Sequence, residues 1–429
     1  MTAPRSTEGG QPERLTRAAV RASGPHIGTH TRRRAPEGIV SGRRQTDAHL
    51  GQRRLEGGAV MAEVLLAVGT RKGLFLARRE ARRRGGGGWE FTGPHLGAQA
   101  VLSVCLDRRG PGTPRLLAAG DSAHWGPSVL HSDDLGASWT EPPRPPVRYP
   151  EDTGVSLERV WQLQPGGENE PGVVYAGTEP GGLFRSEDGG ESFALVRPLW
   201  DHPTRRDWVP GGGGLGLHTV LVDPRDSRRV TVAVSAGGAY RTADGGAGWE
   251  PCNRGVSAVF LPEGRRYPEY GQCVHKIARD AADPDRLYLQ NHWGVFRSDD
   301  GATGWRSIGE VLASDFGFPV AAHPRRGGVA YVFPLNADAD RVPAEHRCRV
   351  YRTQDAGDSW EALTAGLPEA AHYGPVLRDA LCTDDADPAG VYFGNRNGEV
   401  YASADEGDSW QQVARHLPDV LCVRAAVIG

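Results

Sequence analysis

Short apolar segments separated by turn-forming residues recur along the chain from residue 61 onwards. Residues 272–279, 286–290 and 294–297, for example, are separated by stretches containing aspartate, proline and asparagine. Runs this short with such boundaries are typical of β-strands. Glycine and proline contribute 59 and 32 of the 429 residues, whereas methionine contributes 2, which disfavours a helical bundle. The pattern therefore predicts an all-β chain of short antiparallel strands joined by many turns.

An eight-residue motif of the form Ser/Thr-x-Asp-x-Gly-x-x-Trp recurs six times, at intervals of 50 to 56 residues. Each copy follows the end of one apolar segment and precedes another, so we place it in a hairpin turn. There the Asp carboxylate can accept backbone N–H groups, and the indole can pack between sheets. We expect a structural role for the six aspartates: Asp134, Asp188, Asp244, Asp300, Asp355 and Asp405.

These repeats resemble the Asp-box, or BNR, repeats of sialidase-like, sortilin-like and photosystem-assembly-factor propellers. The resemblance covers residues 61–429 and implies four-stranded antiparallel blades. A degenerate seventh copy at residues 76–89 precedes the six complete ones, so we expect a seven-bladed β-propeller of about 53 residues per blade. The final strand, residues 419–427, is expected to join the first blade and close the ring, which leaves no exposed sheet edge.

The catalytic residues of sialidases are not carried over to this chain. Sialidases combine their boxes with an Arg-Ile-Pro element, which this sequence lacks. They also have six blades where seven are expected here. Arginines of the inner strands can nevertheless cluster and bind an anion.

The N-terminal segment differs in composition from the rest of the chain. Residues 1–60 hold 11 arginines and 5 acidic residues without the apolar segment of a signal peptide, which predicts a disordered extension. Translation starting at Met61 is one interpretation, and a basic arm for nucleic acid or membrane is the alternative. Residues 61–429 hold 39 basic and 48 acidic side chains, which disfavours a nucleic-acid partner for the propeller.

The sequence suggests no cofactor, metal site or membrane segment. Its six cysteines form no CxxC pair, and no apolar run approaches the roughly 20 residues of a membrane helix. We therefore expect a cytoplasmic protein with reduced thiols. Gly211, Gly213 and Gly216 satisfy GxGxxG, but a strand and not a helix follows them, so we interpret them as a flexible loop and not a dinucleotide site.

The candidate site lies on the loop-rich face opposite the boxes, where the innermost strands begin with unusually polar residues. A concave polar pocket where the innermost strands of a propeller begin is the usual place for a ligand. The candidate catalytic carboxylates are Glu158, Glu179 and Asp379. The candidate ligand-binding residues are Arg159, Trp161, His124, Trp125, His218, His275, Lys276, Asn291, His292, Arg378 and Arg396, and Trp200 and Trp293 are further candidates for stacking on sugar rings.

Three functions remain open from sequence. The first is a glycoside-hydrolase-like propeller that binds a glycan or another small polar ligand and uses a pair of carboxylates. The second is a non-catalytic platform that binds a protein or peptide, as in photosystem assembly factors and sortilin-type receptors. The third is a metal-dependent lyase or hydrolase that uses histidines from several blades, among them His124, His218, His275 and His292.

Overall fold

The computed structural model describes residues 62–80, 88–110, 112–259, 261–336 and 339–428, all within the compact unit Ala59–Gly429. The disordered extension expected at residues 1–60 and the alternative start at Met61 lie outside the described residues. Residues 81–87 of the degenerate seventh repeat also lie outside them.

Nearly all regular structure in the described residues is β-strand, which confirms the all-β prediction. Most strands pair antiparallel with their neighbours in sequence, because tight turns join them. In chain order the strands are β1 (Glu63–Thr70), β2 (Gly73–Glu80), β3 (Glu90–His95), β4 (Gln99–Asp107), β5 (Arg115–Ser122), β6 (Gly126–Ser132), β7 (Arg159–Pro165), β8 (Val174–Glu179), β9 (Leu183–Ser186), β10 (Ala194–Leu195), β11 (Leu217–Asp223), β12 (Asp226–Val234), β13 (Gly238–Thr242), β14 (Glu250–Pro251), β15 (Val274–Arg279), β16 (Leu287–Asn291), β17 (Gly294–Ser298), β18 (Arg306–Ser307), β19 (Gly317–Ala322), β20 (Ala330–Pro334), β21 (Val350–Thr353), β22 (Glu361–Leu363), β23 (Val376–Thr383), β24 (Val391–Asn395), β25 (Val400–Ser403), β26 (Gln411–Ala414) and β27 (Val420–Ile428).

Four-stranded antiparallel sheets are the repeating unit: β7–β10, β11–β14, β15–β18 and β19–β22 each form one. Strands β4–β6 form a three-stranded sheet, beside which His131 and Thr140 make an isolated bridge. The first and last strands share a sheet of order β26-β25-β24-β23-β27-β1-β2-β3. In it β27 pairs antiparallel with the whole of β1 and meets β23 at one parallel pair, Asp379 with Cys422. The C-terminal strand is therefore the neighbour of the N-terminal one.

Short helices occupy long connections between strands. The described residues include one α-helical turn, Arg197–Trp200, and the 3-10 turns Glu151–Thr153, Pro203–Asp207, Glu263–Arg265 and Ala344–His346. In the described part of the chain, no helix has the length and apolar character needed to cross a bilayer.

The hydrophobic core lies between sheets that follow one another in the chain. Tyr240 of β13, for example, is fully buried and packs with Tyr175 of β8 in the preceding sheet. A cluster of the same kind joins the last sheet to the first, where Tyr392 and Val400 pack with Leu66. Each sheet is thus apolar on both faces, which explains why its strands read as nearly continuous apolar runs.

The eight-residue motifs form hairpin turns held by hydrogen bonds. In the second copy, the buried Ser186 hydroxyl donates to Asp188 at 2.7 Å and accepts the Gly190 N–H at 2.8 Å. The other oxygen of the Asp188 carboxylate accepts the Ser192 hydroxyl at 2.6 Å. The indole of Trp305 in the fourth copy is buried between sheets and donates to the Cys252 carbonyl at 2.8 Å. The motif therefore ties a turn to the preceding sheet.

We expect Ser186→Ala to lower the free energy of unfolding by about 1–3 kcal/mol, because it leaves the buried Gly190 N–H without its acceptor. Denaturant unfolding measures this change. The matched control, Ser192→Ala, removes an exposed hydroxyl from the same turn and should cost less than about 0.5 kcal/mol. Equal losses in the two variants would contradict the proposed role of the buried hydroxyl.

Candidate functional site

A cavity of about 530 Å³ opens among the starts of the first strands and the ends of the second strands of several sheets. Five arginines and three carboxylates line it, so its charged surface is predominantly cationic. Its charged lining is Arg71, Asp121, Arg159, Glu179, Arg341, Arg378, Asp379 and Arg396, and Trp161, Phe318 and the glycines Gly212, Gly213 and Gly214 also face it.

Glu179 is a buried carboxylate at the wall of the cavity. It ends β8, is 93% buried by side-chain area, and accepts the Arg159 guanidinium at 2.7 Å and the Trp161 indole at 3.0 Å. The glycine-rich segment passes directly over this group, since a Cβ on Gly214 would lie 1.7 Å from the Glu179 carboxylate. A Cβ on Gly216 would lie 2.7 Å from the Trp161 indole nitrogen. The GxGxxG segment is therefore a wall of the cavity, a role that the interpretation as a flexible loop did not foresee.

Asp121 supplies a second carboxylate, which we did not predict from sequence. It lies near the end of β5, as Glu179 lies at the end of β8, so both come from the second strand of their sheets. Burial raises the pKa of Asp121 above its ordinary value, and the nearby Arg159 guanidinium offsets part of that rise. Because Asp121 and Glu179 occupy equivalent positions in their sheets, sequence analysis could have identified Asp121 from its place at a strand end.

Arg378 is a partly buried cation at the wall of the cavity. Its guanidinium lies 5.5 Å from the ring centres of both Trp161 and Phe318, and it donates to the Ser235 hydroxyl at 3.1 Å. Its Nε is buried without a hydrogen-bond partner, and within the described ranges no carboxylate forms a salt bridge with it. Burial lowers its pKa. Such a group favours a bound anion.

Asp379 reaches the cavity but is engaged in an ion-pair network. Its side chain is 96% buried, accepts Lys276 Nζ at 2.8 Å and also pairs with Arg424. Burial alone would raise the pKa of Asp379, but Lys276 and Arg424 bring it below its ordinary value. Lys276 also donates to Gln162 Oε1 at 2.8 Å and to the His218 carbonyl at 3.0 Å. An ionised carboxylate held by two cations is a poor proton donor, so the geometry favours a structural role for Asp379 and Lys276.

Two predicted histidines are buried in the strands and do not line the cavity. His218 Nε2 lies 2.9 Å from the Val274 carbonyl, and His275 Nδ1 lies 2.6 Å from the Gly317 carbonyl. Burial, together with the charge of Arg378, lowers the pKa of both imidazoles well below the usual value. Both rings are therefore neutral at physiological pH.

The remaining predicted residues are dispersed. Glu158, His124 and Trp125 are exposed and do not line the cavity, and Trp125 is 89% exposed. Asn291 is buried and donates to the Ser257 carbonyl at 3.1 Å, which is a structural contact. Arg396 lines the cavity and pairs with Asp419. Trp200 is buried against Tyr149. His292 lies outside the cavity lining and contacts Trp293.

The cavity therefore combines an arginine-rich wall, two aromatic rings and three carboxylates, of which Asp379 is held in the ion-pair network. Burial favours the protonated form of Asp121, whereas Glu179 accepts hydrogen bonds from Arg159 and Trp161. Carboxyl groups in unlike environments are the arrangement that acid and base roles need. Trp161 offers a flat apolar surface next to them.

Comparison with known proteins agrees with a propeller. No protein-family profile matches the chain. An oligoxyloglucan-reducing end-specific xyloglucanase of Emericella nidulans is 27% identical over 204 residues, covering 45% of this chain and 22% of that protein. A xyloglucanase of Hypocrea jecorina is 24% identical over 257 residues, covering 52% of this chain and 28% of that protein.

Among solved structures, an ancestral GH74 enzyme has a TM-score of 0.51 at 18% identity, covering 75% of this chain and 39% of its own. That likeness shows the propeller fold. The chain spans less than a third of the length of the two xyloglucanases.

We expect Asp379→Asn to lower the free energy of unfolding by about 3 kcal/mol or more, because Lys276 and Arg424 then remain buried together without their shared carboxylate. Chemical denaturation measures this loss. Asp121→Asn is the comparison within the same cavity and should change stability much less. A fully stable Asp379→Asn protein would contradict the structural role and favour a catalytic one.

Proposed function

We propose that this protein is a glycoside-hydrolase-like propeller that binds and cleaves an acidic oligosaccharide in the arginine-lined cavity. The proposal depends chiefly on one observation: Asp121, whose pKa burial raises, and Glu179, which pairs with Arg159, line the same cavity. The xyloglucanase relatives and the propeller fold support the carbohydrate part of it.

Within this proposal the sheets are seven blades of a ring, and the eight-residue motifs are Asp-box repeats. Hydrophobic clusters between consecutive sheets, and the cluster between the last sheet and the first, support a cyclic order. Pairing of β27 with β1 supports closure by the C-terminal strand. A closed ring brings strand ends from distant parts of the sequence to one mouth.

In the proposed reaction Asp121 donates a proton to the leaving oxygen of the glycosidic bond as that bond breaks, and Glu179 accepts a proton from the water whose oxygen bonds to the anomeric carbon. Arg159 orients Glu179 through its 2.7 Å hydrogen bond. Trp161 is placed to stack on a sugar ring, as aromatic side chains do in carbohydrate sites. Glu158 and Asp379, candidates from sequence, have no catalytic part in this scheme.

The anionic character of the substrate follows from the arginines. Arg159 is neutralised by Glu179, and Arg396 and Arg71 share Asp419, whereas Arg378 has no salt bridge within the described ranges. A carboxylate on the ligand, as in a uronic acid, can pair with Arg378 in bidentate fashion.

We expect Asp121→Asn and Glu179→Gln each to lower kcat at least ~100-fold on the cleaved oligosaccharide, because each removes one partner of acid–base catalysis. Released reducing ends measure the rate over a panel of neutral and acidic oligosaccharides. Since Asp121 must be protonated, activity should fall as the pH rises above its raised pKa. The exposed Glu151→Gln should behave as the unmodified protein.

Two outcomes would contradict the catalytic assignment. If Glu158→Gln loses turnover while Asp121→Asn keeps full activity, the catalytic carboxylates are those that the sequence suggested and not Asp121. If no oligosaccharide of the panel is cleaved although oligosaccharides still bind, the protein is a binding platform and not an enzyme.

We expect Arg378→Met to weaken binding of a uronate-containing oligosaccharide by about 10–100-fold, the range that corresponds to losing a charge-assisted hydrogen bond. Calorimetric titration measures the dissociation constant. A neutral oligosaccharide of equal length should lose much less affinity. The exposed Arg228→Met serves as the matched control, and equal losses for acidic and neutral ligands in Arg378→Met would contradict the anion preference.

A further inference from the structure

Three metal-binding side chains form a cluster beside the cavity and take no part in the proposed acid–base pair. Cys273 Sγ lies 3.6 Å from His275 Nε2 and 3.8 Å from His292 Nδ1, and all three ligand atoms lie within 4.8 Å of one another. We propose that Cys273, His275 and His292 bind one zinc ion and leave its fourth position open.

The distances match those around a tetrahedral zinc ion. With Zn–S of about 2.3 Å and Zn–N of about 2.0–2.1 Å, neighbouring sulfur and nitrogen ligands lie about 3.6 Å apart. Both sulfur–nitrogen distances in the cluster are within 0.2 Å of this spacing. One thiolate with two imidazoles suits zinc better than magnesium or calcium, which prefer oxygen ligands.

His275 is fixed in the orientation that a metal ligand needs. The Gly317 carbonyl can only accept, so the proton of the imidazole is on Nδ1, 2.6 Å from that oxygen. The Nε2 lone pair is thereby directed to the side of Cys273. Phe318 stacks on the ring at 4.8 Å, and Phe316 meets it edge-on at 5.8 Å. A carbonyl behind a histidine ligand is the usual outer support of zinc sites.

One rigid hairpin supplies all three ligands. Cys273 immediately precedes β15, and His275 is the second residue of that strand, at the register shift between Val274 and Lys276. Their ligand atoms lie 3.6 Å apart. His292 lies in the turn after β16, and its N–H donates to the Cys273 carbonyl at 2.9 Å. A site built on a short hairpin needs no rearrangement of distant segments.

Access also fits a metal site. His275 is buried, whereas Cys273 and His292 are partly exposed, so an ion can reach the cluster from solvent.

Cobalt titration of the chelator-treated full chain tests the proposal. We expect saturation at one Co²⁺ per chain, a near-ultraviolet thiolate-to-cobalt band, visible bands of four-coordinate cobalt, and loss of all of them on adding one equivalent of Zn²⁺. Cys273→Ser should abolish the thiolate band, and His292→Ala should weaken cobalt binding by at least about tenfold. Cys105→Ala and His124→Ala are the controls and should titrate as the unmodified protein.

A second measurement needs no variant. One equivalent of Zn²⁺ should slow iodoacetamide modification of Cys273, followed by mass spectrometry of its peptide, and a chelator should restore the rate. Failure of the unmodified protein to bind cobalt or zinc at a one-to-one ratio overturns the proposal, as does a thiolate band that persists in Cys273→Ser. Neither readout depends on glycosidase activity, so the metal site and the proposed function can fail separately.

Discussion

The Asp379 carboxylate is the charge around which the centre of this protein is organised. Its partners come from far apart in the sequence: Lys276 from β15, and Arg424 from the C-terminal strand, while Gln162 from β7 holds Lys276 in turn. A buried charge without a partner costs several kcal/mol, so this network is stable only with all four strands in place. The packing of the C-terminal strand β27 and the ion pairs of Asp379 therefore depend on each other.

The same strand connects this network to the cavity. Arg378 and Asp379 are adjacent in β23, and successive side chains of a strand leave opposite sides of the backbone. The Asp379 side chain therefore forms its ion pair with Lys276, whereas the Arg378 guanidinium lies near the rings of Trp161 and Phe318 at the cavity wall. A slip of one residue in β23 would remove Asp379 from Lys276 and Arg378 from the cavity wall, so the register of this strand fixes both positions.

Local patterns were sufficient to predict the β-architecture, because turn residues and spaced motifs determine each hairpin on its own. Sequence also placed Glu179, Trp161 and Arg378 at the cavity, since strand ends meet at one rim. Partnerships across sheets are not encoded locally: nothing near Asp379 indicates that a lysine 103 residues earlier neutralises it. Asp121 was missed for a related reason, because its raised pKa arises from burial that only the assembled sheets create.

Arg378 connects the cavity electrostatically with the Cys273 cluster. Its positive charge, which also lowers the pKa of the His275 imidazole, opposes a dication at that cluster. An anionic ligand paired with Arg378 would neutralise the opposing charge while the coordinated thiolate remained ionised. Occupation of either site should therefore strengthen the other, and linkage requires the coupling to be equal in both directions. The physical basis is one guanidinium with few protein partners, placed between an aromatic wall and a sulfur ligand.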